Sequence, residues 1–117
     1  MGFEFQKLTV YQKAKEFHAI IADEVLGQDQ LKRYHKDQLG RASFSVILNI
    51  AEGSSRFTNP SRKNYMVIAR GSLFECVAAL EILSDQELIA NSIYEGLLTK
   101  ADELSRILFS MIRNLEK

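Results

Sequence analysis

The sequence predicts an all-α fold, an antiparallel up-down-up-down four-helix bundle. Three observations predict it. Apolar residues recur at steps of three and four along nearly the whole chain, helix-breaking residues cut that pattern into four segments, and no alternating run argues for a strand. Short connections between long helices then favour antiparallel neighbours. With 117 residues, 46% hydrophobic and one proline, the chain is expected to form a single domain over 1–117 with a real core.

The first helix is expected over 9–26. Thr9 with Gln12 three residues on makes a capping-box pattern, Val10, Ala14, Phe17, Ile21 and Val25 share one face, and Gly27 ends the segment. A polar connection, Gln28 to His35, leads to a second helix over 36–54, with Gly53 as its C-terminal cap. Asn59 followed by Pro60 starts the third, over 60–85: Asn caps the orphan N–H groups, and Pro at the first helical position loses nothing. Ser92 with Glu95 forms another capping box for a fourth helix over 92–116. There Leu97, Ala101, Leu104, Leu108, Met111 and Leu115 alternate steps of four and three.

The second helix carries a narrow polar stripe. Gln38, Arg41, Ser45, Asn49 and Glu52 fall within about 80° of arc at 100° per residue, while apolar residues fill most of the remaining circumference. A solvated helix would show a broader arc, rich in Lys and Glu. Two readings stand: a buried hydrogen-bond network that fixes how helices meet, or functional groups facing a groove or an assembly axis. If the turn to the third helix is centred near Phe57, a rise of about 1.5 Å per residue sets Arg41 level with Glu75, Ser45 with Ser72, and Glu52 with Tyr65. Ser72 and Glu75 lie on the apolar side of the third helix, where a carboxylate needs a donor. The expectation is a buried Arg41–Glu75 ion pair flanked by Gln38, Ser45, Asn49 and Ser72.

The third helix is apolar almost all round, with Arg70 and Glu81 as a thin solvated strip. One bundle cannot bury so much, so further subunits are expected to cover a second face in a homo-oligomer.

The run from Gln38 to Gly53, with its Asn49-Ile50-Ala51-Glu52-Gly53 signature, is followed by Ala69-Arg70-Gly71-Ser72-Leu73-Phe74-Glu75. Together with Leu8, Val10, Tyr11, Lys13 and Ala14, these residues resemble the bacterial four-helix-bundle proteins encoded in intervening sequences of 23S rRNA genes. That family is also classed among ribosomal proteins. The resemblance covers most of the chain and implies an antiparallel bundle assembled as a ring-shaped homopentamer with a central channel. It implies little about biochemistry. More distantly the chain is similar to the accessory proteins of diversity-generating retroelements, which are basic and work with a reverse transcriptase and nucleic acid. This chain departs from them in charge: fifteen basic and fifteen acidic residues balance.

A local basic stretch survives that objection. Between Gly53 and Phe74 there is no acidic residue, whereas Arg56, Arg62, Lys63 and Arg70 are present, with Phe57 and Tyr65 interleaved. One reading is contact of Arg56, Arg62 and Lys63 with RNA phosphates while Phe57 or Tyr65 stacks on a base. The other is a solvated loop whose charges only aid solubility.

Enzyme readings find no support in the residues. A di-iron bundle needs Glu-x-x-His pairs, and neither His18 nor His35 has that context. No Arg stands four to six residues before a His, as the helical HEPN ribonucleases require. Glu52 and Glu75 fall several turns apart along the bundle, too far for an acid–base pair. Cys76 lies on an apolar face with nothing nearby to lower its pKa, and His18 reads as a surface or packing residue. No catalytic residue, cofactor, metal or membrane partner is expected. One cysteine and the absence of a leader or long apolar run make the cytoplasm the default location. The expected function is a non-enzymatic oligomeric scaffold associating with RNA through the basic loop; the alternative is a protein–protein adaptor that binds no nucleic acid.

Overall fold

Four α-helices and one short 3-10 helix make up the computed structural model, which describes residues 2–117. The 3-10 helix spans Glu4–Lys7; α1 is Thr9–Glu24, α2 Arg33–Ser54, α3 Asn59–Asp85 and α4 Asn91–Leu115, with no strand among the described residues. Helix α1 packs on α2 and α4, and α3 packs on the same two, so the four surround one core. Each supplies the apolar stripe its periodicity announces: Val10, Ala14, Phe17 and Ile21 from α1, and Leu97, Ala101, Leu104 and Leu108 from α4, are all buried.

Helix ends depart from the sequence expectations for identifiable reasons. Thr9 is the first residue of α1 and makes no cap; Gln12 instead donates from Nε2 to the Gln6 carbonyl at 2.6 Å, tying the helix to the 3-10 turn. The α2 helix starts at Arg33, because His35 Nδ1 accepts the Lys32 backbone N–H at 3.0 Å and so satisfies a donor at the helix start. Thr58, not Asn59, is the N-cap of α3, with Oγ1 accepting from the Ser61 N–H at 3.3 Å. Asn91 begins α4, so Ser92 lies inside the helix and caps nothing. At the other end of α3, Glu87 adopts φ 59°, and the Leu88 and Glu87 amides bond the Leu83 and Ser84 carbonyls at 2.9 and 3.0 Å. Those two bonds are a Schellman closure built without glycine, with half-buried Leu88 packed against the core.

Gly53 is the largest correction. Rather than capping α2 from outside, it sits buried inside the last turn, where α3 comes closest. A Cβ there would stand 2.6 Å from Met66 Cε and 3.0 Å from Tyr65 Cβ. Only a hydrogen fits between the two backbones.

One buried polar contact has no counterpart in the sequence pattern. Ser43 is the only buried polar residue among the described ones, and its Oγ lies 2.7 Å from His18 Nδ1 and 3.3 Å from the Gly40 carbonyl it donates to. His18 therefore joins α1 to α2 as a hydrogen-bonding partner and is more than a surface residue. A sequence offers little to find it, since the two residues are far apart and neither belongs to a recognisable pattern.

Gly53→Val is expected to lose about 2–3 kcal/mol through overpacking of this contact. Glu87→Gly is expected to gain about 0.5–1 kcal/mol by relieving a left-handed side-chain residue. Both are read by denaturant unfolding at one fixed protein concentration, and the opposite sign at either position would contradict the local geometry described.

Candidate functional site: the polar seam and the basic end

The polar stripe of α2 divides into a seam and an outer face. In the seam, Ser45 and Ser72 stand with Oγ atoms 3.0 Å apart, at the register the spacing predicts. Asn49 Nδ2 donates to Ser45 Oγ and to the Ser45 carbonyl, both at 2.9 Å. Because Ser45 Oγ accepts from Asn49, its own proton is free to go to Ser72, and a chain of three side chains crosses from α2 to α3. All three are half-buried.

The buried Arg41–Glu75 pair is not formed. Both residues are exposed, and among the described residues neither takes part in an ion pair or side-chain hydrogen bond. The two residues share a level but not a direction: at 100° per residue Arg41 is turned about 80° from Asn49, and Glu75 about 60° from Ser72. The two side chains diverge to the outside of the seam. Gln38 and Glu52 are exposed as well, and Glu52 takes a different partner.

That partner is Arg56, in the basic end. Its Nη2 donates to Glu52 Oε2 at 2.9 Å and to the Tyr65 hydroxyl at 2.8 Å, while the guanidinium carbon lies 4.7 Å from the Tyr65 ring centroid. Arg62 Nε donates to the Arg56 carbonyl at 2.7 Å, and Lys63 Nζ meets Glu116 Oε2 at 2.8 Å. Glu116 also lies 3.4 Å from Arg113. The Lys63 ammonium, with Arg113 beyond it, holds the Glu116 carboxyl below the ordinary carboxylate value. Of the five residues expected to meet RNA, Arg56, Lys63 and Tyr65 are thus engaged with the chain's own groups, Arg62 holds the loop backbone, and Phe57 stands 97% exposed.

Arg70, expected with Glu81 on a thin solvated strip, is half-buried and occupies a defined place. Its guanidinium lies 4.8 Å from the Phe74 ring centroid and 5.4 Å from that of Phe109, and Nε donates to the Ser105 carbonyl at 3.4 Å. It joins α3 to α4. Beneath the basic end, an open groove between the 3-10 turn and the ends of α2, α3 and α4 is lined mainly by apolar residues, with Glu4, Glu52 and Arg62 as its charged members. Among the described residues no three His, Cys, Asp or Glu side chains converge as a metal site would need, and no helix is long and apolar enough to cross a membrane. Cys76 is buried in the core, and desolvation pushes its thiol up to about 12.

Residues 6–110 match the family described as 23S rRNA-intervening sequence protein. The chain belongs to that family. Among solved structures, a protein of unknown function from the S23 ribosomal protein family of Bacteroides thetaiotaomicron is similar to this chain with a TM-score of 0.82 at 25% identity, over 89% of this chain and 98% of that one. No curated protein matches. Membership in the 23S rRNA-intervening sequence family thus brings a shared fold and a relative whose function is itself unknown.

Two outcomes follow from the charges and the thiol. Since Glu116 ionises more readily in the folded chain than in the unfolded one, its contribution to stability is complete above the ordinary carboxylate value of about 4.3 and is lost as pH falls through its lower folded value. Glu116→Gln should therefore flatten the fall in melting temperature between about pH 5 and pH 3, and an unchanged slope would remove the Lys63 pairing from consideration. Cys76 should resist a thiol-reactive dye at pH 8 until the chain is unfolded, with labelling of the native protein at the rate of a free thiol as the contrary result.

Proposed function

We propose that this member of the 23S rRNA-intervening sequence family is a non-enzymatic cytoplasmic scaffold: an antiparallel up-down-up-down bundle that assembles with copies of itself into a ring-shaped homo-oligomer. The antiparallel order is supported by the pairs along α2 and α3, where Ser45 meets Ser72 while Gly53, further along α2, meets Met66, earlier on α3. The observation that carries the assembly is apolar surface. Phe44 and Leu48 on α2, Ile68, Phe74 and Ile82 on α3, and Phe109 on α4 are each between 43% and 55% exposed in the single chain. Apolar residues scattered singly need no explanation, but Ile68 and Ile82 share one side of α3 with Phe44 and Leu48 on α2 beside them, and Phe74 with Phe109 adds a second apolar area towards α4, more than water should keep. Five copies is the number the family resemblance implies.

RNA association is a second reading, and Phe57 is what favours it. A ring 97% exposed, in a loop whose neighbours include Arg56 and Arg62, is placed to stack on an unpaired base. The intrachain pairs of Arg56 with Glu52 and Lys63 with Glu116 weigh on the other side, since a paired cation releases fewer counterions when it meets a phosphate.

Solution mass should exceed the 13.3 kDa of one chain by an integer factor, and a single-chain mass at high protein concentration would end the scaffold reading. For the second reading, protein purified at low salt should carry nucleic acid absorbance, and charge reversal at Arg56, Arg62 and Lys63 together with Phe57→Ala should abolish it. Protein free of nucleic acid at low salt would leave the adaptor as the remaining role.

A further inference from the structure

We infer that Arg41 of one copy pairs with Glu75 of a neighbouring copy, so that the outward face shared by α2 and α3 is the surface on which a second copy of this chain docks. The inference rests on the self-assembly reading and adds to it the place and the chemistry of contact. Arg41 and Glu75 lie at one level of the bundle, on either side of the Ser45–Ser72 seam, and both are exposed. Among the described residues neither forms an ion pair. Exposed apolar side chains stand beside these two: Phe44 and Leu48 flank Arg41 on α2, where exposed Asp37 lies one turn before it, and Ile68 and Ile82 lie on the same side of α3 as Glu75.

Those facts bear on what covers the face. An apolar partner would strand both charges away from water without compensation, which is strongly unfavourable. A partner carrying one sign would satisfy one and repel the other. A second copy presents charges of both signs, so that Arg41 of the first meets Glu75 of the second. In a ring the contact is head-to-tail, and each copy gives Arg41 to one neighbour and Glu75 to the other. The apolar residues supply the burial, and the charge pair supplies the register and the rejection of shifted dockings.

The test exploits that reciprocity. Arg41→Glu and Glu75→Arg are made as separate proteins, checked for wild-type helix content by circular dichroism, and sized by light scattering alone and as an equal mixture. Each alone sets like charges against each other at the contact and should assemble at least tenfold more weakly than wild type; mixing the two should restore association between unlike copies, because Glu at 41 in one protein then meets Arg at 75 in the other. Four results overturn the inference. A wild type that stays a single chain removes both this inference and the assembly reading beneath it. A wild-type oligomer with both single variants assembling at full strength removes only the inference. Rescue by the double variant in one chain without rescue by mixing places the pair within a chain, and rescue by neither removes the pair altogether. If either charge reversal fails to fold, Arg41→Cys mixed with Glu75→Cys should give a disulfide-linked dimer under mild oxidation that neither protein gives alone, and its absence from the mixture counts against the contact equally.

Discussion

The approach of α2 to α3 at Gly53 is the constraint from which the rest of the molecule follows. A missing side chain lets Met66 and Tyr65 sit against the α2 backbone, and that distance fixes the two helices relative to each other at the loop end. Eight residues back along α2, the same alignment brings Ser45 Oγ to Ser72 Oγ, with Asn49 bracing it. A steric contact at one end and a hydrogen-bonded contact further along define a line, so neither sliding nor rotation of one helix on the other is free. The loop beyond inherits its shape from this junction: Arg56 reaches back to Glu52 and forward to Tyr65 because the two helices meet where they do.

Charge in this chain is organised by that geometry. At the loop end, cations are drawn into contacts with the chain's own carboxylates and carbonyls, and these half-exposed pairs shape the loop more than they stabilise it. On the outer side of α2 and α3 the opposite holds, with Arg41 and Glu75 standing apart among exposed apolar residues. The segment that looked most basic in sequence is therefore the better neutralised, and the stripe that looked like a closed network is open at both edges.

Periodicity made most of the fold legible. Apolar steps of three and four identify which residues face the core, because burial is a collective property that no single neighbour can overturn. Helix ends were less legible, since Thr9, Asn59 and Ser92 all have side chains suited to capping, and which of several adjacent candidates caps is decided by the entry angle of the chain. Glu87 in a left-handed turn has no compositional mark at all. Axial level is enough for Ser45 and Ser72, which face each other and touch; Arg41 and Glu75 share a level but lie at the outer edges of their helices, and the contact is absent. The residues that carry the resemblance, Asn49 and Gly53 on one helix and Ser72 on the other, lie where α2 and α3 touch.

Arg70 lies against both Phe74 and Phe109 and is pinned by the Ser105 carbonyl. Two outward aromatic rings on different helices are thereby locked into one block through a shared guanidinium. A partner meeting this block encounters side chains whose rotational freedom was already lost when the bundle folded, so the ordering cost that usually opposes association is smaller here. The aromatic surface is preorganised, and its fit to a partner is decided by shape before contact rather than by adjustment after it.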